Sequence, residues 1–229
     1  MEVQIGAAKV AKYATQESGD TLEIIERPHG GLSAVLVDGQ RSGRSAKIIS
    51  NIVARKAISL LGEGVRDGAV ARAAHDYLRT HRGGRVSAEL QVVSVDLQTE
   101  TLVISRNTQC PALIVQEGAL RVFDVPSQPI GIYAKTKPVI VEIPLKAHTY
   151  VLVFTDGLLH SGVDVQGILI ERVQEGPSAQ SLADALLSQA LEAEKGRPKD
   201  DISVLVVAVL PAKVRDRVRR FSVRFPLYS

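Results

Sequence analysis

Apolar residues along this chain recur first with one period and then with another, and the order of those changes admits few folds. Residues 21–26 and 32–37 alternate as strands, with a turn predicted at His29-Gly30-Gly31. From 45 to 61 the spacing is helical, placing Ile48, Ile49, Ile52, Val53, Ala57, Leu60 and Leu61 on one stripe. Gly62 and Gly64 stop that helix. A second helix is predicted over 67–81, with Val70, Ala73, Ala74, Tyr77 and Leu78 inward, ending at Gly83-Gly84. Strand signals follow at 86–96, 100–106, 112–116, 119–123, 138–143 and 150–155, the middle pair turning at Glu117-Gly118. Helical spacing returns at 167–174 and 178–194, and 202–209 is a last β-branched strand stopped by Pro211.

Runs of strands broken by helix pairs predict an α+β layered domain and argue against a repeating βαβ sheet. Pro211 marks the single boundary, separating a domain over 1–211 from a tail over 212–229. At 45% hydrophobic residues the chain can bury a core, which excludes general disorder. No apolar run reaches the ~18 residues of a membrane span. The N-terminal segment lacks the sustained apolar stretch of a secretory signal, so a cytoplasmic location is expected. The only cysteine, Cys110, excludes an intrachain disulfide, and it reads as a small, half-buried strand residue.

The formal charge of +3 is unevenly placed. Residues 213–229 hold Lys213, Arg215, Arg217, Arg219, Arg220 and Arg224 against Asp216, a net of +5, which leaves about −2 for the rest. A basic tail can meet nucleic acid or anionic lipid, but termini are more often solvated, so neither a nucleic-acid nor a membrane partner is expected.

Several familiar motifs fail on inspection. The Gly39–Ser45 loop follows a strand and opens a helix as a P-loop does, but only three residues separate its glycines and Arg44 stands where lysine is required. A cysteine phosphatase needs arginine six positions after its nucleophile, and six past Cys110 lies Gln116. No G-x-S-x-G elbow is present, and the five histidines show no ligand spacing.

What remains is a set of aspartates at strand ends. Asp20 precedes the first strand, Asp38 and Asp156 each end an apolar strand and precede a glycine, and Asp200-Asp201 opens the last strand. Each alone is an ordinary turn residue. Together they could project carboxylates from one edge of a β core, with Gly39 and Gly157 permitting close backbone approach. Mg²⁺ and Mn²⁺ favour such clustered carboxylate and carbonyl oxygens.

In order and spacing, Gly19-Asp20, Val37-Asp38-Gly39 with Ser42-Gly43 and Ala46, Phe154-Thr155-Asp156-Gly157 and Lys199-Asp200-Asp201-Ile202 resemble the type 2C metal-dependent serine/threonine protein phosphatases. The SpoIIE-like branch, in its short single-domain stressosome form, is the nearer match. The resemblance covers about residues 15–210, including Gln128-Pro129-Ile130-Gly131, similar to a Pro-Leu-Gly turn of the family. It implies a four-layer α-β-β-α sandwich, with two antiparallel sheets flanked by helix pairs and two Mn²⁺ or Mg²⁺ ions at one edge. Carried over by position, Asp38 would bridge the ions and Gly39 would offer its carbonyl. Asp156 and Asp201 would hold one ion and Asp20 the other, directly or through water.

Departures from the pattern are visible as well. Gln40 stands where many relatives carry histidine, leaving the general acid unassigned, and Asn107-Thr108-Gln109-Cys110 replaces an Asn-Ala-Gly-His segment. Arg41 and Arg44, near a helix start, suit phosphate but equally suit a solvated surface. The implied activity is hydrolysis of phosphoserine or phosphothreonine on a STAS-domain partner. The alternative is a phosphatase-fold module that binds phosphoproteins without turnover.

Overall fold

The strand runs pair into two antiparallel sheets of five strands each. The computed structural model describes residues 1–28, 30–212 and 218–226. In chain order the elements are β1 (Glu2–Val10), β2 (Thr21–Glu26), β3 (Gly31–Gly39), α1 (Gly43–Gly62), α2 (Asp67–Arg82), β4 (Ala88–Asp96) and β5 (Thr101–Asn107). They continue with β6 (Ala112–Gln116), β7 (Ala119–Phe123), β8 (Val139–Pro144), β9 (Thr149–Phe154), α3 (Asp156–His160), α4 (Val165–Val173), α5 (Ala179–Ala193) and β10 (Ile202–Leu210). One sheet runs β1-β10-β9-β6-β7 and the other β2-β3-β4-β5-β8.

Side-chain alternation on the strands builds three apolar layers between four layers of structure, the α-β-β-α sandwich expected. On β3, Val35 and Val37 face α1 and α2, while Ala34 and Leu36 face the other sheet. On β10, Val204, Val206 and Ala208 pack toward α4 and α5, while Leu205, Val207 and Val209 pack between the sheets. A strand covered on both faces needs no polar alternation, so β10 reads as one apolar run, buried throughout.

Two elements were not anticipated. β1 pairs with β10 over nine residues, yet its Gly6-Ala7-Ala8 stretch carries little strand propensity. Its small residues admit α5: a Cβ on Gly6 would fall on the backbone of Ala179. The short helix α3 begins at Asp156, where sequence alone shows only an Asp-Gly turn. Helix faces also shift slightly, since Ile48 and Tyr77, expected inward, are exposed, and His75 is buried instead.

Cys110 is fully buried in the β5–β6 connection and not half-buried in a strand. Its carbonyl accepts a hydrogen bond from Arg106. His29 of the first expected turn lies outside the described residues, as do Lys213, Arg215, Asp216 and Arg217 of the tail. Arg219 forms an ion pair with Glu26 at the end of β2.

Candidate metal centre

Antiparallel pairing brings the ends that carry acids to one edge of the sandwich. Thr21, next to Asp20, lies opposite Val37, next to Asp38, and Asp38 lies opposite Glu89 on β4. In the other sheet Phe154 lies opposite Val204, so Asp156 and Asp200 leave their strands at the same end. The sheets are tied there by the Gln91 amide, which donates to the Phe154 carbonyl across the interface at 2.7 Å.

The edge opens into a cleft of about 470 Å³ whose wall includes Asp38, Gly39, Glu89, Asp156 and Asp200, with Lys12, Gln40 and Arg41 at its rim. The two Asp-Gly glycines work by close approach. A Cβ on Gly39 would fall on the Ala46 carbonyl of α1, and one on Gly157 would fall on the Asp201 carbonyl. Each glycine thus lets a neighbouring backbone pack directly behind the preceding aspartate.

Asp20 is completely buried. Its Oδ2 accepts hydroxyl hydrogen bonds from Thr155 at 3.0 Å and Ser203 at 2.6 Å, whereas Oδ1 is buried without a partner. Lys9 and Lys47, the nearby cations, donate to the Asp20 backbone carbonyl and not to its carboxylate, which the Lys9 charge offsets only in part. Burial pushes its carboxyl up to about 7, against the pull of the two hydroxyls.

Asp38 is pushed further, to about 9, by burial and then by the negative charges of Asp20, Asp156, Glu89 and Asp200. Burial also raises Asp156 and Glu89. Among the described residues no lysine or arginine makes an ion pair with Asp20, Asp38, Asp156 or Asp200. Converging, unpaired carboxylates with a buried orphan oxygen are stable together only when a cation or protons neutralise them. The carboxylates of Asp20, Asp38, Asp156 and Asp200 are hard oxygen donors, which fit Mg²⁺ or Mn²⁺.

The structure places the predicted residues unequally. Asp20, Asp38, Gly39 and Asp156 meet at this edge. Asp201 does not face the cleft: its Oδ1 accepts from the Lys12 N–H and its Oδ2 from the Gly19 N–H, both at 2.9 Å. Asp200 takes the cleft-facing position, its Oδ1 held by the Asp201 N–H. Arg41 lines the cleft in a left-handed conformation at φ 77°, whereas Arg44, on the first turn of α1, is exposed and lies outside the wall.

Other residues at the site escaped the sequence reading. Glu89 accepts from the Thr108 hydroxyl and from the Gln109 N–H, which orients it into the cleft beside Asp38. Through these bonds, the altered Asn107–Cys110 segment does reach the site. His160 stands 3.9 Å from Asp156 one helical turn on, and Asp156, His160 and Asp200 could each offer an atom to one ion. The only sequence signal for His160 was its i, i+4 spacing from Asp156, hidden because α3 was not anticipated.

Two antiparallel five-stranded sheets between helix pairs, with acids converging at one end, form the fold of the PP2C serine/threonine phosphatases. Within that class the chain belongs to the family described as Stage II sporulation protein E (SpoIIE), which it matches over residues 28–210. It is similar to the PP2C phosphatase domain with a fragment of the regulatory domain of the cell fate determinant SpoIIE from Bacillus subtilis, at 23% identity and TM-score 0.78. That match covers 91% of this chain but 64% of the SpoIIE structure. RsbX in complex with magnesium is similar at 13% identity and TM-score 0.72, over 90% of this chain and 94% of RsbX. The catalytic domain of the phosphatase PstP in complex with two manganese ions is similar at 16% identity and TM-score 0.71, over 91% and 99%. No curated protein matches the chain.

Proposed function

We propose that the chain is a Mn²⁺- or Mg²⁺-dependent protein phosphatase that hydrolyses phosphoserine or phosphothreonine on regulatory partners. The observation that carries this reading is the convergence of Asp38, Asp156 and Asp200 on one cleft, with Asp20 buried behind it and close enough for its charge to act on Asp38. Asp38 sits centrally among the others and would bridge two ions, with the Gly39 carbonyl beside it. Asp156 and Asp200 would hold one ion, Asp200 replacing the Asp201 expected from sequence, and Asp20 would hold the other. When bound, such ions supply Lewis acidity toward phosphoryl oxygen and lower the pKa of water.

The chain's own groups supply position. Arg41 and Lys12 at the rim offer cationic donors to the phosphate oxygens, aligning phosphorus over the acids. Water attacks phosphorus in line as the bond to the serine or threonine oxygen breaks, and that oxygen takes up a proton. Thr108 and Gln109 hold Glu89 against the cleft, and the Gly19 and Lys12 amides pin Asp201 so that Asp200 stays aimed inward. An open cleft lined by acids together with Arg41 and Lys12 suits a phosphorylated side chain presented by a folded partner. Similarity to the short form of the branch supports a STAS-domain protein of a stressosome or partner-switching pathway, met in the cytoplasm. Among the described residues, no helix is long and apolar enough to cross a membrane.

The test is hydrolysis of a phosphoserine STAS-domain protein, with an aryl phosphate as control, across a Mn²⁺ titration. Metal-dependent turnover that Asp38→Asn and Asp156→Asn abolish supports the reading. Turnover of the aryl phosphate alone discards the partner, and a folded, Mn²⁺-binding protein inert toward both substrates leaves a binding module.

A further inference from the structure

We propose that residues 219–225 add as a strand to the open edge of β2 in the same chain, running antiparallel to it. This inference is independent of the metal-centre reading. β2 is the outermost strand of its sheet and, among the described residues, pairs only with β3, so its outward N–H and C=O groups offer a template for another strand.

The segment has the composition of such a strand. Phe221, Val223 and Phe225 occupy alternate positions and are 69%, 89% and 82% exposed. In an extended segment these three share one face, and an apolar face of that size left in water is unfavourable. Extended and solvated, it gains nothing from its alternation; docked, it buries the apolar face against the sandwich.

The Arg219–Glu26 ion pair within the chain indicates both occupant and register. With Arg219 beside Glu26, an antiparallel run sets Phe221 beside Ile24 and Val223 beside Leu22. Ile24 is 38% exposed at this edge, and Leu22 packs against the layer between the sheets. The apolar face of the segment therefore continues the apolar face of β2. On the opposite face Arg220 and Arg224 fall diagonally to either side of Glu23, giving cross-strand pairs of opposite charge. The added strand would advance from Glu26 toward Thr21, the end of β2 that adjoins Asp20 and the cleft.

Two measurements on the full-length chain test this. Ile24→Cys with Phe221→Cys, under mild oxidation, is expected to close an intrachain disulfide, while Ile24→Cys with Ser222→Cys, whose side chains would point to opposite faces, stays open. Buried Cys110 remains as it is. In parallel, Val223→Asp is expected to speed hydrogen exchange of the β2 amides by about tenfold, equal to about 1.4 kcal/mol of local opening free energy. Failure to close, equal closure of both pairs, or unchanged exchange in Val223→Asp overturns the docking. A disulfide that forms only between chains and rises with protein concentration overturns it in favour of exchange with a second copy.

Discussion

Replacing Asp38 with asparagine should make the metal-free protein more stable while abolishing its turnover. The carboxyl of Asp38 sits near 9 in the folded chain against an ordinary 3.8. Because the folded value is raised, the folded state retains a proton that the unfolded chain releases above about pH 4. Stability is therefore lost as pH rises from about 4 toward 9, with a slope of up to about 1.4 kcal/mol per pH unit. At pH 7 the full window would correspond to about 4 kcal/mol, and entry of water and relaxation of neighbours should reduce the effect to roughly half. Asparagine mimics the neutral acid and does not carry this penalty. Urea denaturation with chelator present, at intervals from pH 4 to 8.5, should show Asp38→Asn and wild type converging at pH 4 and separating by ~2 kcal/mol near neutrality. Saturating Mn²⁺ should reverse the order, since only wild type gains the full binding free energy of the ions. A stability difference that is absent, or constant across pH, would refute the claim that burial, helped by the neighbouring carboxylates, keeps Asp38 protonated in the metal-free fold.

Neighbouring aspartates should separate cleanly by role. Asp200→Asn is expected to weaken Mn²⁺ binding in calorimetry with little change in the metal-free melt. Asp201→Asn is expected to lower metal-free stability by about 2–4 kcal/mol, because the Lys12 and Gly19 amides lose a charged acceptor. Glu89→Gln should weaken Mn²⁺ binding by roughly tenfold, as loss of an orienting group around a metal does, and raise metal-free stability above about pH 5 by removing a buried carboxylate that burial disfavours. Gly39→Ala should cost about 1–3 kcal/mol in denaturant melts, since its Cβ meets the Ala46 carbonyl of α1.

The cleft also shows why Asp-Gly recurs at this edge. Each aspartate must reach into a space crossed by backbone from another element, α1 behind Gly39 and the start of β10 behind Gly157. Any side chain at either glycine would push that backbone away and widen the gap between carboxylates. The dipeptides that look like ordinary turns are thus spacing devices for the acids that precede them.

The order of β2 to β10 apart from α3, the layered class and the strand ends near Asp20, Asp38 and Asp156 were legible in the linear chain, because apolar periodicity is a local property. β2, β6 and β7 lie where alternation placed them. β1 was not legible, because Gly6-Ala7-Ala8 becomes a strand only by pairing with β10 about 200 residues away. Nor could adjacency tell Asp200 from Asp201. Side chains at consecutive positions point different ways, and the choice was made by the Lys12 and Gly19 amides, brought from 189 and 182 positions distant. Glu89 carries no signal in its own segment; its place follows from standing opposite Asp38 across a strand pair. Periodicity along the chain is enough to lay down strands and helices. Which carboxylates share one cleft is decided by register between strands, a relation the linear sequence does not contain.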